Sequence, residues 1–405
     1  MNRSRYAIEP FRINVPDRTL SDMRERLLNT RFPHDYNNDD WEYGFNTDYL
    51  RTLIDYWVHK HDWRRHEAEM NRLAHFRTTI EDLPIHFIHV KGKGPNPRPL
   101  LLHHGWPWTF WDLKKVIGPL SDPAAYGGKP EDAFDVVLIS LPGHGFSSPI
   151  KVPNINFWRT ADIEVTLMSE VLGYQKFFTA GGDWGALIVA QLGHKYADRV
   201  LGVYTHLPIQ LSHYLSDHPD VPPGIAYSNG LPEASVYGKG EESWAGTNRD
   251  FFEKESGYGY IHLTKPQTLG VALNDSPAGL FSWIIEKRRT WADVKGDIES
   301  VFDKDHLCNT ATIYWATETI ATSARFYKEV LHNPWKPSHR RFPVVEAPTF
   351  CCVHPKDVLL MPKAWAEKYH NLKAWKVMPS GGHFAPYELP EEFVANIRGF
   401  FGTLR

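Results

Sequence analysis

The sequence predicts an α/β fold in which helices cover both faces of a mostly parallel sheet, with a helical insertion between two late strands. From residue 99 onward, short continuous apolar runs alternate with helical stretches, as is typical of parallel strands buried on both faces. These runs stop near residue 207 and resume after residue 342. In addition, the sequence Gly-Gly-Asp-Trp-Gly at residues 181–185 surrounds one reactive side chain with small residues at a predicted strand-to-helix turn.

The first 92 residues precede this alternating region and are predicted to begin with helices. A capping-box-like start at Thr19 begins the first helix, and Thr47 begins a second helix with an apolar stripe. From Phe76 the pattern alternates, which indicates strands, and a loop of Gly, Pro and Lys at 92–97 ends the segment.

The predicted core has two parts, residues 93–207 and 343–405. Its strands are the apolar runs at 100–102, 136–139, 176–180, 201–204, 349–353 and 374–377, and helices are predicted at 162–172 and 186–196. Residues 208–342 contain helix-like segments such as 310–327 instead. An insertion at this point of an α/β sheet is expected to form a lid over the carboxyl ends of the strands, where ligands bind.

Composition narrows the classes of function. The 405 residues are 42% hydrophobic and carry a net charge of −3, which gives no general attraction to nucleic acid or to an anionic membrane. Neither a signal peptide nor a membrane-spanning stretch is recognisable. The three cysteines, Cys308, Cys351 and Cys352, cannot form a disulfide framework and favour a reducing compartment. We therefore expect a soluble, cytoplasmic protein without a membrane anchor.

Asp183 is the candidate nucleophile. The flanking glycines relieve crowding in the turn, so that the side chain between them can project above the sheet. A serine in this place forms acyl-enzymes from esters and amides, whereas a carboxylate would form an anhydride with them, so its targets are sp³ carbons that carry a leaving group. An aspartate that only caps the following helix is the alternative.

Two residues downstream favour the catalytic interpretation. Asp357 and His383 each follow directly after one of the last two predicted strands. The resulting order of nucleophile, acid and histidine is that of the α/β-hydrolases. Asp357 alone could cap a helix and His383 could be one of 21 scattered histidines, but chance rarely produces three such residues in this order. Asp183, Asp357 and His383 are therefore predicted to form a catalytic triad.

The sequence His-Gly-Trp-Pro at 104–107 follows the first core strand and is predicted to complete an oxyanion site. Its donors would be the backbone N–H groups of Trp106 and of Trp184, the residue after the nucleophile. A Gly-Pro turn that packs tryptophans would use the same residues. Trp108 and Phe157 are candidates for an apolar substrate pocket, although a packed core explains them equally well. The histidine pairs of the chain lack supporting ligands at a metal-binding spacing, so no metal site is predicted.

Nearly end to end, the chain resembles the epoxide hydrolases of the microsomal and fungal type. The resemblance rests on the motifs above and on residues 141–147, 255–258, 264–266, 273–277, 325–329 and 381–384. In that family two lid tyrosines hydrogen-bond the epoxide oxygen, and the motifs assign them to Tyr258 and Tyr327. Tyr260 is a competitor for the first position and a further candidate for the substrate pocket. The family also implies that the segment 1–92 wraps the core and contacts the lid. Unlike the membrane-bound members, this chain is not expected to have an N-terminal anchor helix, and its acid is aspartate where some members use glutamate.

The resemblance implies hydrolysis of a hydrophobic epoxide to a vicinal diol through an alkyl ester of Asp183, without a metal or organic cofactor. Two alternatives stay open. A haloalkane dehalogenase shares the aspartate and the histidine, but it needs side-chain N–H donors for the halide. A non-catalytic binding protein on the same fold usually lacks a triad member. The expected partner is a small-molecule epoxide, with neither nucleic acid nor membrane, and the choice between monomer and homodimer is open.

Overall fold

The computed structural model describes residues 6–209, 211 and 231–404. Within these residues one sheet has the strand order β1-β2-β3-β5-β4-β6-β7-β8-β9. Its strands are β1 (Glu9–Phe11), β2 (His75–Ile80), β3 (Leu83–Val90), β4 (Arg98–Leu102), β5 (Phe134–Ile139), β6 (Phe177–Gly181), β7 (Val200–Thr205), β8 (Val345–Val353) and β9 (His370–Val377).

Strands β1, β2, β3 and β5 pair antiparallel, and all further neighbours from β5 to β9 pair parallel. Leu102 at the end of β4 aligns with Leu138 of β5 and with Ala180 of β6. The loops that follow these parallel strands therefore leave the sheet at the same edge, which is where side chains from distant parts of the chain can meet.

Helices pack against the sheet and above its carboxyl edge. The helices are α1 (Asp17–Leu28), α2 (Thr47–His59), α3 (Trp63–Met70), α4 (Lys114–Ser121), α5 (Phe157–Thr166), α6 (Trp184–Lys195), α7 (Trp244–Lys254), α8 (Gly257–Thr264), α9 (Pro266–Asp275), α10 (Pro277–Thr290), α11 (Lys304–Thr317), α12 (Ile320–His332), α13 (Lys363–Tyr369), α14 (Ala385–Glu388) and α15 (Pro390–Gly402). Helices α5 and α6 pack together, as do α4 and α15. None of these helices is both long and apolar enough to cross a membrane. The predicted α/β fold class is confirmed.

The insertion between β7 and β8 is helical, as predicted, and α12 packs across α8 and α9. The single helix-like segment predicted at 310–327 is wrong, because it is two helices. α11 ends at Thr317, and Glu318 then has a left-handed backbone with φ of 53°. The chain turns there before α12 begins at Ile320. Residues 210 and 212–230, at the predicted start of the lid, lie outside the described residues.

Three helix starts differ from the predicted ones, and one of them is that of α6, which begins at Trp184 and not at residue 186. α1 begins at Asp17 after an extended Pro16, so Thr19 lies inside the helix. The backbone of proline suits a helix start and replaces the expected cap. α5 begins at Phe157 and not at residue 162, because the Asn156 side chain accepts the backbone N–H of Arg159.

The N-terminal segment contacts the lid. α1 and α2 pack against α10 and α11. The indole N–H of Trp57 donates to Thr312 Oγ1 at 3.1 Å. The boundaries predicted for the four segments stay predictions.

Candidate active site

Asp183 lies in the turn between β6 and α6 with φ of 53° and ψ of −128°. A residue other than glycine rarely adopts a positive φ, and such strain is concentrated at functional sites. Small neighbours make the turn possible. A Cβ on Gly105 would lie 2.3 Å from Asp183 Oδ1, and one on Gly185 would lie 2.7 Å from His103 Cβ. The glycines thus let the turn approach the loop after β4.

That loop supplies a backbone donor to the carboxylate. The N–H of Trp106 donates to Asp183 Oδ1 at 2.7 Å. Trp184 is the first residue of α6, so its N–H has no partner within the helix. The Trp106 N–H thus contacts the Asp183 carboxylate, and the oxyanion roles of Trp106 and Trp184 stay predictions.

His383 joins the two carboxylates of the predicted triad. Its Nδ1 lies 2.7 Å from Asp357 Oδ1 and its Nε2 lies 3.1 Å from Asp183 Oδ2. Ionised carboxylates only accept hydrogen bonds, so both ring nitrogens donate when the two aspartates are charged. Burial works against the charged ring, but the charge of Asp357 and the hydrogen bonds to both aspartates outweigh it and raise the pKa of His383 to about 9. Burial likewise works against a charged Asp357, yet His383 lowers the pKa of that carboxyl.

The loop that carries His383 is held by a residue that the sequence analysis missed. Glu388 accepts the backbone N–H groups of Gly382, Phe384 and Asp293 at 2.8 to 2.9 Å. Burial raises the pKa of Glu388 to about 7. The N–H of His383 itself donates to the carbonyl of Trp291 at 2.8 Å. An acidic residue five positions after the histidine was the available signal, but nothing local predicts which amides it accepts.

Two tyrosines of the lid lie over Trp106 and Trp184, the residues predicted for the oxyanion site. The ring of Tyr258 stacks on Trp106, with centroids 5.0 Å apart and an angle of 8°. The ring of Tyr327 is perpendicular to Trp184 at 4.6 Å and to Trp106 at 6.0 Å. The two tyrosine rings lie 6.0 Å apart. Residues from α8 and α12 thus meet above the turn that carries Asp183.

The neighbouring Tyr260 has a different environment. It is 40% exposed, whereas Tyr258 is 6% exposed. Burial therefore favours Tyr258 as the first lid tyrosine.

The other two aromatic residues predicted for the pocket lie in different places. The ring of Trp108 is buried and perpendicular to His383 at 5.5 Å. Phe157 is buried at the start of α5, where its ring contacts Trp158 at 4.8 Å. The pocket roles of Trp108 and Phe157 stay predictions.

Two further aromatic residues lie close to this site and were also missed. Trp291 is 5.2 Å from His383 and 5.1 Å from Tyr258, measured between ring centroids. His262, one helical turn after Tyr258, lies 4.6 Å from Trp106. The spacing of His262 and Tyr258 on one helix face was the only sequence signal for it.

A second buried polar cluster supports the loop after β4. Asp112 accepts from both terminal nitrogens of Arg288, at 2.6 and 3.1 Å, and from the N–H of Thr109 at 2.7 Å. Asp112 Oδ1 also lies 3.0 Å from His306 Nε2. Arg288 and His306 belong to α10 and α11, so this cluster ties the lid to the core loop.

A cluster of three side chains outside the site consists of residue types that can bind a metal ion. Ligand atoms of His61, His66 and Asp305 lie within 4.8 Å of one another. The Asp305 carboxylate already accepts a hydrogen bond from Arg65, whose Nη2 lies 2.6 Å from Oδ2. A metal cation would have to displace that guanidinium, so the cluster fits an ion-pair role better.

The chain matches two family models. Residues 8–113 match the model described as the epoxide hydrolase N terminus, and residues 98–260 match the alpha/beta hydrolase fold. The solved juvenile hormone epoxide hydrolase from the silkworm Bombyx mori superposes with a TM-score of 0.83 at 28% identity, covering 99% of this chain and 96% of that one. The Aspergillus niger epoxide hydrolase gives a TM-score of 0.82 at 24% identity, over 98% of this chain and 97% of the other, which supports the fold alone.

Sequence relatives cover nearly the whole chain. A putative epoxide hydrolase of Stigmatella aurantiaca (strain DW4/3-1) is 37% identical over 98% of this chain and 86% of its own length. Epoxide hydrolase 1 of Oryctolagus cuniculus is 35% identical over 98% of this chain and 89% of its own length. These similarities favour the family suggested by the sequence motifs over the haloalkane dehalogenases. The chain therefore belongs to the epoxide hydrolase family and has the α/β-hydrolase fold.

Proposed function

We propose that this protein hydrolyses a hydrophobic epoxide to a vicinal diol through a covalent alkyl ester of Asp183. One observation carries the proposal: the Asp183 carboxylate contacts both the Trp106 amide and His383, beneath two buried tyrosine rings. A nucleophile, a base and a pair of hydroxyl donors are the groups that opening and then hydrolysing such an intermediate require.

Ring opening uses the lid and the turn together. Asp183 attacks an epoxide carbon and displaces the ring oxygen, which is a poor leaving group as a free alkoxide. Tyr258 and Tyr327 donate hydrogen bonds to that oxygen, and one of them gives up its proton. The products of this half-reaction are a hydroxy-alkyl ester of Asp183 and one tyrosinate.

Ester hydrolysis uses His383 as a base. The charge of Asp183 is one of the influences that raise the pKa of His383, and it disappears when the ester forms. His383 can then give its proton to restore the tyrosinate, and it takes a second proton from a water that attacks the ester carbonyl. The Trp106 and Trp184 amides stabilise the resulting oxyanion, and Asp357 orients the imidazole and stabilises its charged form. Collapse of this intermediate breaks its bond to the diol oxygen, which takes a proton from His383. The new carboxyl group of Asp183 then returns its proton to His383, which regenerates the carboxylate.

We further infer that residues 208–342 act as the lid and that residues 1–92 wrap the core and hold the lid in place. Contacts of α1 and α2 with α10 and α11 support this arrangement. Trp108 and Phe157 are proposed to line the apolar part of the pocket. The proposed setting is the cytoplasm, with the enzyme a monomer or a homodimer.

Isotope labelling tests the covalent step. A single turnover in ¹⁸O-water, with enzyme in excess over styrene oxide, is expected to place the label in the Asp183 carboxylate and not in the diol. Asp183→Ala is expected to form no diol while keeping its unfolding temperature. Label found in the diol alone would contradict the ester and favour direct attack by water.

The lid tyrosines have a matched control in the same helix. Tyr258→Phe is expected to lower the kcat for styrene oxide by about 10- to 100-fold, because a hydrogen bond to the leaving oxygen is lost. Tyr260→Phe removes a hydroxyl from a tyrosine that is 40% exposed and is expected to leave kcat nearly unchanged. The opposite result would exchange the roles of the two tyrosines.

A further inference from the structure

His262 is a fully buried side chain in the aromatic wall of the lid. Its ring is perpendicular to Trp106 at 4.6 Å and lies 5.0 Å from Tyr327 and 5.5 Å from Tyr258. The proposed mechanism gives this histidine no part, although it contacts the two tyrosines that would bind the epoxide oxygen.

The hydrogen bonding of His262 determines which ring nitrogen carries the proton. The indole N–H of Trp283 donates to His262 Nε2 at 3.2 Å. An indole nitrogen can only donate, so Nε2 must be the unprotonated nitrogen and Nδ1 must carry the hydrogen. Burial, together with the charge of Lys287, lowers the pKa of His262 to about 3. The ring is therefore neutral at physiological pH, with Nδ1 as a donor.

That donor has no hydrogen-bond partner within the described residues, since His262 Nδ1 is buried and unpaired there. Buried donors are seldom left unpaired in folded proteins. Here the ring that carries the unpaired N–H lies beside the two lid tyrosines, where the substrate is proposed to bind. A ligand group with a lone pair would satisfy it.

We propose that His262 Nδ1–H binds an acceptor oxygen on the substituent next to the oxirane, so that the enzyme prefers epoxides bearing an ether or ester oxygen there. This inference rests on the proposed function. The epoxide oxygen is a less suitable partner, because its two lone pairs are already matched by the hydroxyls of Tyr258 and Tyr327. His262 is thus a specificity-determining residue.

A matched pair of substrates isolates this contact. Benzyl glycidyl ether and 5-phenyl-1,2-epoxypentane differ only in an ether oxygen that replaces a methylene. The wild-type kcat/KM is expected to favour the ether. His262→Phe keeps a ring of similar size but removes both nitrogens, so kcat/KM for the ether should fall about tenfold while that for the hydrocarbon changes less than about twofold.

A second variant guards against a change in packing. His262→Asn keeps an N–H donor near the position of Nδ1 and should restore part of the preference for the ether, with both variants unfolding within a few degrees of the wild type. Equal losses on the two substrates in His262→Phe would overturn the inference and assign His262 to packing. No turnover of either epoxide by the wild type would instead contradict the proposed function on which the inference rests.

Discussion

The pairs Asp357–His383 and Asp112–His306 consist of the same two side chains, both buried, but their surroundings differ. Asp112 also binds the guanidinium of Arg288 with both of its oxygens. Asp357 has His383 on one oxygen, and its other oxygen has no hydrogen-bond partner within the described residues. One carboxylate is thus neutralised by a permanent charge, whereas the other depends on a histidine that can gain or lose a proton.

The pKa values of the two histidines are shifted in opposite directions. Burial lowers the pKa of His306, and the neighbouring Arg288 opposes its protonation further. The pKa of His383 is raised to about 9, although burial alone would lower it. A buried aspartate–histidine pair therefore exchanges protons only where no fixed cation already compensates the carboxylate. These surroundings support the proposal that the Asp357 pair serves catalysis and that the Asp112 pair stabilises the lid.

The largest contrast is expected from removing each carboxyl charge. Asp357→Asn should lower kcat by about 10³- to 10⁴-fold, because His383 loses the group that orients and charges it. Ester formation does not need His383 as a base, so the alkylated enzyme should accumulate and be visible by intact-protein mass spectrometry.

Asp112→Asn is the matched control for that variant. It should lower the unfolding temperature, since Arg288 is left buried without its counter-charge, and no ester should accumulate. Accumulation in both variants would remove the distinction between the two pairs.

Removing Arg288, the fixed cation beside Asp112, tests the same comparison. Arg288→Met should lower the free energy of unfolding in urea by about 3–5 kcal/mol, as is usual when one partner of a buried ion pair is lost. The pKa of His306 should rise, since the opposing charge is gone, and NMR titration of the histidines would show it. The partly exposed neighbour, Arg289→Met, should change stability by less than about 1 kcal/mol. An unchanged pKa of His306 would mean that burial alone keeps this histidine neutral.

The two pairs should stabilise the folded protein over different pH ranges. The pKa of His383 rises from 6.5 to about 9 on folding. Its stabilisation is therefore complete below pH 6.5 and is lost as the pH rises through about 9. The pKa of Asp112 falls below its usual 3.8, so its contribution is present above that pH and is lost as the pH falls. In scanning calorimetry, His383→Gln should flatten the alkaline side of the stability curve, whereas Asp112→Asn should change the acidic side and leave the alkaline side as it is.

The smallest effect is expected at the loop that carries His383. Glu388→Gln keeps the side-chain length, but its amide turns an N–H donor toward one of the three backbone N–H groups that the carboxylate accepts. A displaced His383 should lower kcat about tenfold with little change in KM. The exposed Glu391→Gln serves as the control. Equal kcat values in the two variants would show that the other contacts of the loop, such as those with Trp291 and Asp293, hold His383 without Glu388.

Local sequence patterns identified much of the core side of the site. Asp183, Asp357 and His383 each follow a strand, and parallel strands bring their carboxyl ends to one edge, so the three contacts follow from strand order. No comparable sequence pattern predicted the contacts that connect the lid to the core. Asp112 and Arg288 are 176 positions apart, and neither has a local feature that marks it as buried or paired.

The sequence by itself determined the fold class and identified Asp183 in the strained turn and Asp357 and His383 after two strands. These depend on local periodicity and on glycines, which act over a few residues. Only the tertiary structure decided that Tyr258 is buried and Tyr260 partly exposed, that His262 has an unpaired Nδ1, and that one aspartate–histidine pair has a fixed cation. Burial and long-range charge set these properties, and both arise only when distant segments pack together.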